Sequence, residues 1–155
     1  MTYKEYREKE QAEFNALPIF WAFGKEQFRE AMEARGLTEA DTDQVRAIGA
    51  GGYYLKRDDE IIANYMRRPD RLRELMENDA EFAESAFYYE MANHEFHINW
   101  EGDYDVCSCF GQCEYVEGRV GLVYLKAMGY SQNVRTAYSR AWARFMRDAA
   151  ENDWY

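Results

Sequence analysis

The residues most suited to chemistry are two histidines, His94 and His97, followed by three cysteines, Cys107, Cys109 and Cys113. Thiolates and imidazoles are soft ligands that suit zinc. Structural zinc sites, however, usually pair their cysteines as Cys-x2-Cys or Cys-x4-Cys, and the Cys-x-Cys spacing found here closes a poor chelate turn. We therefore predict no tightly bound metal and no cofactor. The alternative role for the cysteines is that of small buried apolar side chains.

A second pair, Glu90 and His94, lies one helical turn apart on a segment whose apolar residues share that face. A buried carboxylate needs a partner, and an imidazole supplies one. We interpret the pair as structural. The alternative is a small enzyme or zinc-binding protein centred on Glu90, His94 and the cysteines, with the pair acting in acid–base chemistry or as ligands beside His97. No basic residue adjoins the cysteines to lower a thiol pKa, which disfavours a catalytic Cys–His pair.

Acidic residues are concentrated in one part of the chain. The net charge is −10, and residues 74–118 contain 12 acidic residues and no Lys or Arg. Such segregation is typical of a surface that meets a cationic partner, and the alternative is a solvated face that aids solubility. The sequence identifies eight candidate partner-binding residues in this window: Glu77, Glu81, Glu84, Tyr88, Glu95, Glu101, Asp103 and Asp105.

The first five of these fall within about 60° of one another on a continuous helix. Their spacing of about 5–6 Å approaches that of phosphates along a nucleic-acid strand. Glu114 and Glu117 would extend this acidic stripe. If Asp79 caps the helix, Glu77 falls outside it and the stripe shortens.

These residues must be positioned by a fold of mixed type. Apolar periodicity predicts one mostly helical α+β domain, with about six helices around a small sheet of about three strands. The predicted helices are 3–16, 25–35, 38–48, 58–67, 80–95, 119–128 and 132–151, with another helical turn from Asp70. The predicted strands are 19–23, 53–56 and 96–100, and residues 101–118 are expected to be irregular or hairpin-like.

Composition excludes several classes of protein. Apolar residues make up 47% and aromatic residues 17% of the chain, which excludes an acidic disordered protein. The net acidity argues against direct nucleic-acid binding. No apolar run approaches the ~20 residues of a membrane span. The charged N-terminus does not resemble a signal peptide, and with an odd number of cysteines this predicts a reduced, cytoplasmic setting.

A glycine-rich segment, Gly49-Ala50-Gly51-Gly52, lacks the Lys-Ser/Thr of a phosphate-binding loop. We predict a tight turn with positive φ angles there. Several aromatic residues near the acidic ones are candidate interface anchors. They are Trp100, Tyr104, Tyr115, Trp154 and Tyr155.

Three segments resemble the motifs of a known family, in the same order. They are the run 14–23 (FNALPIFWAF), the turn 49–54 (GAGGYY) and the segment 89–95 (YEMANHE). The family is an uncharacterised one of small proteins from phages and mobile elements of Gram-positive gut bacteria. The resemblance implies a mobile-element accessory protein and supplies no catalytic residues.

We therefore expect a non-enzymatic accessory protein. Small size, segregated acidity and the resemblance favour a protein that binds and inhibits a host protein with a basic nucleic-acid-binding surface, as an anti-CRISPR or other anti-defence protein does. A structural or regulatory phage protein is a further alternative.

Overall fold

The computed structural model describes residues 1–116, 118 and 121–154. It contains a three-stranded antiparallel sheet and a majority of helical residues, which confirms the predicted α+β class. The helices are α1 (Tyr3–Asn15), α2 (Lys25–Glu33), α3 (Asp59–Met66), α4 (Arg68–Asn78), α5 (Ala80–Asn93), α6 (Gly102–Ser108), α7 (Gly121–Ala127) and α8 (Gln132–Glu151). The strands are β1 (Phe20–Trp21), β2 (Val45–Gly49) and β3 (Gly52–Leu55).

The chain divides into two compact units. The helical unit comprises Met1–Glu10 and Arg68–Tyr155, and the sheet unit comprises Gln11–Arg67. No helix in the described part of the chain is long and apolar enough to cross a membrane.

In the helical unit, α5 packs against α8. Alanines on both helices are fully buried and allow the backbones to approach closely, while aromatic rings fill the space beside them. Phe87 and Tyr138 meet edge to face at 5.1 Å between ring centroids, and Tyr88 meets Phe145 at 5.6 Å. Each large apolar side chain buried here contributes about 1.5–3 kcal/mol to stability.

Both central helices begin at the residues predicted to cap them. Asp79 accepts a hydrogen bond from the Phe82 N–H at 2.9 Å, and Ser131 accepts one from the Val134 N–H. Such caps satisfy backbone donors that lack partners in the first turn. Because α5 begins after Asp79, Glu77 belongs to α4, and the predicted stripe loses its first member. It also loses Glu95, because α5 ends at Asn93 and not at residue 95 as predicted.

The sheet unit has the strand order β1-β3-β2. Phe20 pairs with Tyr53, and Val45 pairs with Leu55. The predicted glycine-rich turn joins β2 to β3, with φ angles of 87° at Gly49 and 80° at Gly51. A small core of Phe20, Met32 and Leu55 lies within this unit.

The helix predicted over 38–48 is wrong. Asp41 accepts hydrogen bonds from the N–H and hydroxyl of Thr38, which closes a turn. A short 3-10 helix follows at Thr42–Gln44, and β2 then begins at Val45. Residues 45–49 form a strand because pairing with β3 gives their backbone N–H and C=O groups hydrogen-bond partners. A short isolated helix would be only marginally stable.

The strand predicted over 96–100 is also wrong, and so is the irregular structure predicted over 101–108. Glu95 adopts a φ angle of +49°, and the Phe96 N–H returns to the Met91 carbonyl, so the chain turns back at the end of α5. Asn99 then donates hydrogen bonds to the His94 carbonyl and to Asp105. These contacts place α6 where the sequence predicted a loop.

The helix predicted over 119–128 is found from Gly121 onward. Glu117, Arg119, Val120 and Tyr155 lie outside the described residues, so the predictions that involve them have no structural outcome here.

Candidate functional site

Glu90 is the most deeply buried acidic side chain in the described part of the helical unit, with 1% of its surface exposed. Its Oε1 accepts hydrogen bonds from the Tyr3 hydroxyl at 2.8 Å and from Arg7 Nη1 at 3.3 Å. Its Oε2 accepts one from Asn93 Nδ2 at 3.1 Å. His94 Nε2 lies 3.7 Å from the same Oε2. The buried carboxylate thus has partners, as predicted, although His94 is only one of them.

The fold adds Cys109 to this pair. Its Sγ lies 3.4 Å from His94 Nε2, although the two residues are 15 positions apart. One ligand atom from each of Glu90, His94 and Cys109 lies within 4.8 Å of the other two. Glu90 is on α5, and His94 and Cys109 are the residues that directly follow α5 and α6. The reversal of the chain at Glu95 therefore brings the two helix ends together.

The other candidate ligands are elsewhere. His97 Nε2 is paired with the Trp154 carbonyl oxygen at 2.8 Å. Cys107 is fully buried, and its thiol donates to the Gly121 carbonyl at 3.7 Å. Cys113 is half-buried and, within the described residues, belongs to no such ligand cluster. The combination of both histidines with all three cysteines, which the sequence offered as an alternative, is thus not formed among the described residues.

Electrostatics keep the Cys109 thiol protonated. Enclosure of the sulfur is the main cause that raises its pKa to about 12, and the Glu90 carboxylate raises it further. Burial also raises the pKa of Cys107. A thiol of this kind is a poor nucleophile at neutral pH. The fold nevertheless places an imidazole, that of His94, beside Cys109, which the sequence analysis did not expect.

The acidic candidates divide into two groups. Glu81, Glu95 and Glu101 are exposed, and Glu84 is half-buried one turn after Glu81 on α5. None of these four takes part in an ion pair with a described residue. We call these four residues the acidic group.

Three of the remaining candidates form hydrogen bonds with other residues of the chain. Glu77 accepts a hydrogen bond from the Ser131 N–H at 3.1 Å. The Tyr88 hydroxyl donates to Asp148 at 2.8 Å, while the Arg144 guanidinium lies 4.5 Å from the Tyr88 ring centroid. Asp105 accepts a hydrogen bond from Asn99.

The expectation that Asp103 lies on the acidic surface is wrong. Only 4% of it is exposed, and its Oδ1 accepts a hydrogen bond from Tyr138. Its Oδ2 is buried without a hydrogen-bond partner among the described residues. No sequence pattern indicated this burial, because α6 itself was not predicted.

Comparisons with known proteins give one match. Residues 2–118 match a family of unknown function, DUF7659. No curated protein and no solved structure matches. The matched span includes Glu90, His94 and Cys109 as well as the whole acidic group.

Proposed function

Since the chain belongs to the DUF7659 family of unknown function, we propose its activity from its own residues: it is a non-enzymatic binding protein. In this proposal the acidic group meets a basic, nucleic-acid-binding surface of another protein. The sharpest form is a mobile-element protein that inhibits a nucleic-acid-handling protein of its host, such as a CRISPR effector.

The observation that carries the proposal is that the four carboxylates of the acidic group form no ion pair with a described residue, whereas several arginines of the helical unit pair with other acidic side chains. Arg7 pairs with Glu90 and Glu10, and Arg68 pairs with Glu10. Arg144 and Arg147 both lie within 4 Å of Asp148. None of these ion pairs includes a carboxylate of the acidic group.

Two further cations of this unit bind backbone oxygens. Arg73 donates to the Met128 carbonyl at 2.9 Å, and Arg135 donates to the Tyr130 carbonyl at 3.0 Å. Both therefore contribute to holding the loop before α8 and are not directed to the acidic group. Negative charge left unscreened in this way attracts cationic surfaces and raises association rates.

The spacing of the carboxylates supports a partner that normally binds phosphates. Glu81 and Glu84 are three residues apart on α5, so their side chains are neighbours on one helix face at about 5–6 Å. A groove of Lys and Arg residues that accommodates successive phosphates would meet charges at a similar interval. Nucleic acid and this protein would then compete for one surface.

The test uses the full chain as an immobilised bait for host nucleic-acid-binding proteins. One variant carries Glu81→Lys, Glu95→Lys and Glu101→Lys. A matched control carries Glu30→Lys, Glu39→Lys and Asp43→Lys, three exposed positions in the sheet unit that change the net charge equally. Thermal unfolding first verifies that both variants have the same melting temperature as the wild-type protein.

We expect the immobilised wild-type chain and the control variant to bind the same partner protein. Added nucleic acid should displace that partner. The first variant should bind that partner with a slower association rate and a lower affinity. The affinity of the wild-type chain should fall with salt, because the Debye length shortens from about 10 Å at 0.1 M to about 3 Å at 1 M. Equal losses in both variants would show that only net charge matters. That result, or binding indifferent to salt, would refute the proposal.

A further inference from the structure

The sequence predicts no tightly bound metal, but the geometry of the fold leads us to a different conclusion: we propose that Glu90, His94 and Cys109 form a Zn²⁺ site. The supporting distances are 3.7 Å from His94 Nε2 to Glu90 Oε2 and 3.4 Å from His94 Nε2 to Cys109 Sγ. Tetrahedral zinc with ordinary bond lengths separates a nitrogen from an oxygen ligand by about 3.4 Å and a nitrogen from a sulfur ligand by about 3.6 Å. Two of the three donor–donor distances are therefore close to the edge lengths of a zinc tetrahedron, and the third pair, Glu90 and Cys109, lies within 4.8 Å.

The convergence on one nitrogen distinguishes this arrangement from a catalytic triad. In a nucleophile–histidine–carboxylate relay, the nucleophile and the carboxylate bind opposite nitrogens of the imidazole. Here both Glu90 and Cys109 approach Nε2. Three donor atoms within 4.8 Å of one another are close enough to bind one metal ion together.

Charge balance and outer contacts also fit a dication. Zn²⁺ would displace the Cys109 proton, so that the thiolate, the carboxylate and a neutral imidazole carry two negative charges. The Arg7 guanidinium paired with Glu90 offsets one of them. Tyr3 and Arg7 donate to Oε1 of Glu90, and the other oxygen, Oε2, is the one 3.7 Å from His94 Nε2 that would bind the metal. Hydrogen bonds of this kind orient ligands and strengthen metal binding.

The donor set selects zinc over the hard cations. Calcium and magnesium prefer oxygen ligands, whereas one thiolate and one imidazole favour zinc. Three protein ligands leave one coordination position for water or an external ligand. Because Cys109 is exposed and His94 is half-buried, that position has access to solvent. Buried Glu90 forms the inner wall of the site.

The test measures metal binding by the full chain in a reductant that does not chelate metals. The variants are Cys109→Ser and, as its matched control, Cys113→Ser, which removes a cysteine outside the cluster. Zinc content after dialysis gives the stoichiometry. Cobalt(II) substitution then gives a thiolate-to-metal absorption band and visible bands typical of tetrahedral sites.

We expect one zinc per chain in the wild-type protein and in Cys113→Ser, and background zinc in Cys109→Ser with loss of the cobalt–thiolate band. Asn93→Ala, which removes a hydrogen bond to Glu90 Oε2, should weaken zinc binding about ten- to a hundredfold. Circular dichroism checks that each variant is folded.

Absence of zinc from the wild-type chain at saturating Zn²⁺ would overturn the proposal, as would equal zinc in Cys109→Ser. Loss of zinc from both cysteine variants would do so as well, since it would place the ligands elsewhere. These readouts are independent of the partner-binding experiment, so either proposal can fail without the other.

Discussion

The Tyr3 hydroxyl donates a hydrogen bond of 2.8 Å to the Glu90 carboxylate, which lies 87 residues further along the chain. The bond joins the first residue of α1 to the last part of α5. The Tyr3 ring is itself buried, with the rings of Phe82 and Phe110 within 6.0 Å. The N-terminal helix is therefore anchored to the candidate zinc site through one of its ligands.

Tyr3→Phe should lower the free energy of unfolding by about 1–3 kcal/mol, because a buried carboxylate loses a donor while the ring packing is kept. Urea unfolding measures the loss. Tyr89→Phe is the control, because Tyr89 packs edge to face on Tyr3 but is partly exposed. Equal effects of the two substitutions would contradict the assigned role of the Tyr3 hydroxyl.

A second buried pair, Asp103 and Tyr138, should be energetically coupled. Tyr138→Phe removes the donor to Asp103 Oδ1 and should cost about 1–3 kcal/mol, because the buried carboxylate is left unsatisfied. The same Phe substitution in an Asp103→Ala background should cost much less. A double-mutant cycle measures the coupling, and additive effects would contradict the pairing.

Alkaline pH should destabilise the protein through its buried tyrosines. Burial raises the pKa of Tyr130 to about 12. The unfolded chain therefore releases this proton from about pH 10, and the folded chain holds it to about pH 12. Between these limits the free energy of unfolding should fall by about 1.4 kcal/mol per pH unit from this residue alone, whereas below pH 10 its contribution is fully present.

Urea unfolding at a series of pH values tests this dependence. Burial also raises the pKa of Tyr3, Tyr88 and Tyr124, so all four tyrosines act in the same direction. Tyr130→Phe should make the decline above pH 10 measurably shallower. Identical slopes for the two proteins would show that Tyr130 does not contribute.

Alanine should be tolerated much less at Gly51 than at Gly36. Both glycines have positive φ angles, 80° and 74°, so the backbone strain is similar. A Cβ at Gly51 would lie 2.7 Å from the Phe23 ring and 3.1 Å from the Ala22 carbonyl oxygen, whereas Gly36 faces open space. Thermal unfolding should show a clearly larger loss for Gly51→Ala, and equal losses would argue against the close approach of β1 to the turn.

Features that depend on neighbouring residues could be predicted from the sequence. Asp79 and Ser131 cap α5 and α8 as expected, because a cap needs only a side chain and an N–H three residues later. The glycine-rich turn is likewise local. The burial of Glu90 followed from the helical period of the apolar residues around it.

Tertiary structure decided the features that depend on distant partners. Residues 45–49 form a strand because β3 lies beside them, and Asp103 is buried because α6 packs in the helical unit. Cys109 joins Glu90 and His94 only because the chain reverses at Glu95. A glycine would have indicated a positive φ angle at this position, but the residue is a glutamate. Periodicity specifies which face of a helix is apolar. It does not specify which side chain from another element meets that face, since that depends on packing between segments far apart in the sequence.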